Sequence, residues 1–175
     1  MLSKAYITDD EIDFIRSFMW DNTGAILEVG AYVGKTFHRL HKYRPDWEYT
    51  GIDPWELYPF PMTDPNVPYD SKADAPLLHS KYFRENCPFS HFIVSDYEKC
   101  LFEDCSFDII VMSACSTWMD TFYMWQKAIR EIKEDGVIIG RHLNHYKYKE
   151  PIIKILDIIK PKNIMHYNES MFAIW

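Results

Sequence analysis

Ala25-Ile26-Leu27-Glu28-Val29-Gly30-Ala31-Tyr32-Val33-Gly34-Lys35-Thr36 is the stretch whose reading decides the fold. Ile26, Leu27 and Val29 are apolar, as in a parallel strand covered on both faces, and Lys35 to Tyr43 is compatible with a helix. Strand, glycine turn and helix make the first half of a βαβ unit. Glycine suits the turn because it takes positive φ and lets a ligand approach main chain that a Cβ would shield. The helix that follows points its unpaired amides at the same place.

A second strand-like run, Glu48-Tyr49-Thr50-Gly51-Ile52-Asp53, ends in a carboxylate, and an acid so placed can bind the two hydroxyls of a ribose. Lys35 after the second glycine raises the possibility of a P-loop. That motif needs four residues between its glycines, and only Ala31, Tyr32 and Val33 intervene. The GxGxxG dinucleotide fingerprint is missing too, because tyrosine occupies position 32 where a glycine would admit a pyrophosphate. The turn suits a cofactor without phosphates.

Glu28-Val29-Gly30-Ala31-Tyr32-Val33-Gly34 resembles the ExGxxxG motif of class I S-adenosylmethionine-dependent methyltransferases, and Asp53 sits where their ribose-binding acid ends strand two. The likeness is nearest to the small-molecule O-methyltransferase-like branch, whose members tend to read GxYxGxS/T and then IDPW. Here those segments are Gly30-Ala31-Tyr32-Val33-Gly34-Lys35-Thr36 and Ile52-Asp53-Pro54-Trp55, within a likeness that extends over residues 24 to 140. The resemblance implies an α/β, Rossmann-like single domain over residues 1–175. Its sheet would be mostly parallel and seven-stranded with an antiparallel C-terminal strand and helices on both faces. The implied cofactor is S-adenosylmethionine.

Composition narrows the partners. A chain of 175 residues, 47% hydrophobic and 17% aromatic, can bury a core without disulfides or metal. With 19 Lys plus Arg against 26 Asp plus Glu the net charge is -7 and no long basic run occurs, which argues against a nucleic-acid backbone as partner. Cys87, Cys100, Cys105 and Cys115 form no CxxC pair, and no signal-peptide core or bilayer-spanning apolar run is present. Free thiols in a reducing cytoplasm are the expectation.

Along the chain, Thr8-Asp9-Asp10-Glu11 is a capping-box pattern opening an amphipathic helix over 9–20. Residues 54–76 hold six of the ten prolines, with several aromatics, and read as a lid or a surface loop. Residues 75–86 look helical, and His91 to Asp96 makes strand three. Phe107 to Met112 is strand four. A helix begins at Thr117 or Asp120 and runs to Lys133 with Phe122, Trp125, Ile129 and Ile132 as its buried stripe. Glu134-Asp135-Gly136 turns into strand five, Val137 to Gly140. Pro151 to Lys160 is a helix with proline in its first turn, followed by a hairpin around Asn168-Glu169.

Ligands of open α/β sheets gather beyond the carboxyl ends of the strands. That rule and the resemblance together make Glu28, Gly30, Tyr32, Gly34, Asp53, Asp96, Tyr97 and Ser113 the candidate cofactor residues. Glu28 either caps the loop amides or, as the resemblance implies, shapes the loop near the cofactor's methionine end. The family reading has Asp96 accepting a hydrogen bond from the adenine amino group, with Tyr97 stacking nearby; an ordinary Asp turn is the alternative. Trp55, Tyr58 and Trp118 are candidates to line the pocket of a small-molecule acceptor.

Many relatives read DGDHSY after strand four and carry an acidic pair after strand five. This chain has Ser113-Ala114-Cys115-Ser116-Thr117-Trp118 and Arg141-His142-Leu143-Asn144-His145-Tyr146, so no metal is expected there. His142 or His145 is the candidate base for a substrate hydroxyl. The expected function is metal-independent O-methylation of a small molecule or sugar-like hydroxyl. The alternative is a methyltransferase-like protein that binds S-adenosylmethionine, its product or another nucleoside without catalysis. The glycine pattern disfavours a nucleotide-linked oxidoreductase.

Overall fold

The structure is a computed structural model that describes residues 7–54, 75–114, 118–141, 146–167 and 172–174. Seven strands form one sheet in the order β3-β2-β1-β4-β5-β7-β6. They are β1 (Ala25–Val29), β2 (Glu48–Ile52), β3 (His91–Ile93), β4 (Phe107–Met112), β5 (Ile132–Gly140), β6 (Ile164–His166) and β7 (Phe172–Ile174). The first five run parallel, while β7 is antiparallel to both β5 and β6. The mostly parallel sheet with a reversed C-terminal strand is as the sequence implies.

Side chains alternate across the sheet, so neighbouring strand residues serve different cores. Ile26, Ile109, Val111 and Ile139 face one layer with α1 (Asp9–Arg16), α2 (Lys35–Leu40) and Phe83 of α3 (Ala75–Asn86). Leu27, Ile110, Met112 and Ile138 face the other with α4 (Trp118–Glu131) and α5 (Tyr146–Ile159). Double coverage explains the near-continuous apolar runs of β1 and β4.

Several boundaries differ from expectation. The α1 helix has the full capping box between Thr8 and Glu11 but ends at Arg16 rather than residue 20. Beyond it Phe18 and Met19 donate to Ile15 and Arg16, and the Arg44 guanidinium binds the Met19 carbonyl. Strand β3 stops at Ile93, whose carbonyl accepts from the Asp53 amide, and Asp96 is instead the extended residue before a 3-10 turn over Tyr97–Lys99. Strand β5 begins early, at Ile132. Glu134-Asp135-Gly136 is accommodated where the ladder shifts register between Phe107 and Ile109. Pro151 lies inside α5, which starts five residues ahead of it, rather than in the first turn.

The buried face of α4 is wider than expected. Thr121, Met124, Trp125, Ala128 and Glu131 are its deeply buried residues, whereas Phe122, Ile129 and Ile132 are only half-buried. Trp125 is buried as expected and the other three pack against the same core, whereas apolar periodicity could not show the two polar members of the buried face, Thr121 and Glu131. No helix among the described residues is long and apolar enough to cross a membrane.

Candidate functional site

The carboxyl ends of β1, β2 and β4 open onto two adjoining clefts. The larger, of about 590 Å³, lies between the turn Asp96 to Lys99 and the first half of α4, with Val29 and Ile52 at its base. The smaller, of about 310 Å³, lies between the loop joining β1 to α2 and the residues that follow β4 and β5. Gly30, Asp53 and Ala114 line both, so an extended ligand can pass from one to the other.

The β1–α2 loop is built to a fixed shape. Gly30 and Ala31 amides both donate to the Ile52 carbonyl, and Gly34 closes back on the Ala31 carbonyl. Gly30, Tyr32 and Gly34 all have positive φ, at 84°, 50° and 75°. Tyrosine pays a steric cost in that region, and its amide is held by Asp53 Oδ2 at 2.9 Å. Asp53 is 7% exposed, so the acid ending β2 braces the loop as well as lining both clefts.

The space that a Cβ would need at these glycines is filled by protein. At Gly30 it would lie 2.6 Å from the Ala114 side chain and 2.7 Å from the Ala114 amide nitrogen. At Gly34 it would lie 2.6 Å from Cys87 Sγ. Close approach of β4 and α3 therefore accounts for the missing side chains, in addition to positive φ, where the sequence had pointed to approach by a ligand.

Glu28 sits at the floor of the smaller cleft and is 2% exposed. Its Oε1 accepts from Thr36 Oγ1 and from Ser113 Oγ, each at 2.9 Å, while Oε2 makes no hydrogen bond among the described residues. Burial pushes the carboxyl up to about 7; the Arg141 charge and the Thr36 and Ser113 hydrogen bonds act in the opposite sense. Arg141, at the end of β5, donates to Ser113 Oγ at 3.3 Å and lies 3.8 Å from Glu11 of α1. A polar chain thus runs from the cap of α1 to the start of α2 across three strand ends.

In the larger cleft Asp53, Asp96, Glu98 and Asp120 face a single cation, Lys99, among the residues that line it. Lys99 pairs with Asp96 at 2.6 Å. Tyr97 is 2% exposed, and its hydroxyl donates to Glu131 Oε2 at the far end of α4. Burial raises the Tyr97 phenol well above its ordinary range, and the Glu131 carboxylate adds to that.

Of the expected site residues, Glu28, Gly30, Tyr32, Asp53 and Ser113 come together at the smaller cleft, and Asp96 and Tyr97 at the larger. Gly34 starts α2 and packs on α3 rather than lining either. Trp55, Tyr58, His142 and His145 lie outside the described residues, as does most of the 54–76 stretch; Trp118 opens α4 but its side chain is not described. Sequence reasoning passed over Arg141, Lys127 and Glu131. A charged residue ending an apolar strand was the available signal for Arg141; nothing local marks the other two.

No family model matches the chain, and no curated protein matches it. Solved structures do share its fold. A TehB-like SAM-dependent methyltransferase from Corynebacterium glutamicum superposes with a TM-score of 0.61 at 14% identity, over 93% of this chain and 84% of that one. A Staphylococcus aureus protein assigned as a caffeoyl-CoA O-methyltransferase gives 0.67 at 14% identity, over 97% and 85%. Phosphoethanolamine N-methyltransferase 2 from Haemonchus contortus, solved with phosphomonomethylethanolamine and S-adenosylhomocysteine, gives 0.59 at 16% identity over 89% of this chain; the chain spans only 38% of that protein. The fold is the Rossmann-like fold of class I methyltransferases.

Proposed function

We propose that the protein binds S-adenosylmethionine and transfers its methyl group to a small-molecule acceptor, in the first instance to an oxygen nucleophile. The observation that carries this reading is the pair of joined clefts at the strand ends with buried Asp53 at their junction. The larger cleft, lined by four carboxylates and one lysine, suits a nucleoside and repels a phosphate. The smaller has the buried Glu28 carboxyl in its lining, with Oε2 short of hydrogen bonds among the described residues, and a carboxyl there favours a cationic amino group nearby.

In this reading Asp53 holds the ribose and Asp96 faces the adenine amino group, while Tyr97 forms part of the nucleoside wall. Gly30, Tyr32 and the Glu28–Ser113 pair hold the methionine end. When bound, the cofactor supplies an electrophilic methyl on a sulfonium that leaves as a neutral thioether. The chain's own contribution is then orientation and exclusion of water, with His142 or His145 taking a proton from a hydroxyl acceptor, and Trp55, Tyr58 and Trp118 around that acceptor.

A second reading is binding without catalysis. It is favoured by the residues at the ends of β4 and β5, where Ser113 and Arg141 stand in place of acids. Incubation with methyl-labelled S-adenosylmethionine and a panel of small hydroxyl and carboxyl acceptors separates the two. Transfer without added metal supports the enzyme; saturable cofactor binding with no transfer to any acceptor supports the binder.

A further inference from the structure

The two walls of the larger cleft are joined behind it. One wall is the turn Asp96 to Lys99 and the other is Asp120, Tyr123 and Met124 of α4. Asp120, Met124, Lys127 and Glu131 follow one another at spacings of four, three and four residues, so they share one stripe of the helix. The upper part of that stripe lines the cleft, and the lower part grips the opposite wall.

The grip has two points, one at each end of the 3-10 turn. Glu131, 3% exposed, accepts from the Tyr97 hydroxyl through Oε2 and pairs with Lys127 through Oε1. Lys127 Nζ also donates to the Cys100 carbonyl at 2.8 Å, and it lies over the Tyr97 ring at 5.1 Å and the Phe102 ring at 5.7 Å. Buried charges cost desolvation free energy that hydrophobic residues of like volume would avoid, so this network is poorly explained as a device for stability alone. What it supplies is a defined separation between the turn and the helix.

We propose that Lys127 and Glu131 are positioning residues for the nucleoside half of the ligand: they act through Tyr97 and the Cys100 carbonyl to preform the larger cleft. This rests on the cofactor reading above. Preformed sites bind more tightly because less freedom is lost on binding, and a loosened wall should weaken any ligand that carries the adenosine group.

The test uses adenosine, which in that reading occupies only the larger cleft, and S-adenosylhomocysteine, which would span both, in calorimetric titrations of the full chain. Tyr97→Phe keeps the ring but removes its hydrogen bond, and Lys127→Met removes the cation. Each should weaken both ligands in parallel by about five- to tenfold, the scale of one hydrogen bond converted to affinity. Lys127→Arg, which retains the charge and donors, should recover most of the affinity lost in Lys127→Met. Melting temperatures recorded alongside separate this from a purely structural role, in which the variants would melt earlier but, when folded, bind both ligands as the parent does. That result overturns the positioning role and leaves the cofactor reading standing. A parent protein that binds neither ligand overturns both.

Discussion

Two buried glutamates on opposite sides of the site are satisfied to different degrees. Glu131, behind the larger cleft, engages both oxygens, one with Tyr97 and one with Lys127. Glu28, under the smaller cleft, directs two hydroxyl donors onto one oxygen and leaves the other without a hydrogen bond among the described residues. The first arrangement fixes geometry and resists change. The second leaves a carboxyl whose protonation state changes with pH and whose proton affinity would fall beside a bound cation.

The sharpest way to break the contrast is to remove the satisfied acid. Glu131→Ala should cost about 3 to 5 kcal/mol of stability, since Lys127 and the Tyr97 hydroxyl lose a buried partner; chemical denaturation measures it. A loss under about 1 kcal/mol would place Glu131 with ordinary surface ion pairs.

Glu28 should show its difference through pH. Its carboxyl titrates near 7 in the folded chain against 4.5 as the ordinary value, so the folded state holds the proton more tightly than the unfolded state does. The resulting stability is full below about 4.5, and it declines as pH rises through 7. The loss attributable to Glu28 is about 3 kcal/mol over that interval. Glu28→Gln should flatten that part of the profile, measured by urea denaturation between pH 4.5 and 8 without ligand. An unchanged slope would mean that Glu28 is already ionised and matched.

A smaller effect belongs to the loop between the clefts. Gly34→Ala forces a Cβ toward Cys87 at positive φ and should destabilise by about 1 to 3 kcal/mol, read in the same denaturation experiment. Smallest is the helix cap. Thr8→Ala removes half of the capping box and should cost about 1 kcal/mol while leaving adenosine binding unaltered, because α1 borders only the smaller cleft through Glu11 and Arg141. Weakened adenosine binding in Thr8→Ala would show that the two clefts do not behave separately.

Much of the frame was legible from local pattern. β1 and β4 announce themselves as apolar runs because the sheet is covered on both faces, and the turn at Gly30 and the acid at Asp53 follow from strand-end chemistry. The polar part of α4's buried face was not legible. Thr121 and Glu131 read as solvent-facing by polarity, but Glu131 is buried between Lys127, one turn earlier, and Tyr97, which comes 34 residues before it and meets it only once the chain has folded. The same holds for Arg141, whose partners Ser113 and Glu11 come from β4's end and from α1. Polar residues that meet across the fold leave no periodic trace. Glycine was half legible: positive φ at Gly30 and Gly34 was foreseen, the pressure of Ala114 and Cys87 was not.

The most direct test of the cofactor reading is calorimetric titration of the purified protein with S-adenosylmethionine and S-adenosylhomocysteine, repeated with Asp53→Ala. Saturable binding of both ligands, weakened in the variant by about 1.5 to 3 kcal/mol as for a lost hydrogen bond to a charged group, is the expected result. Absence of binding to the parent protein, or binding that Asp53→Ala leaves unchanged, would contradict it.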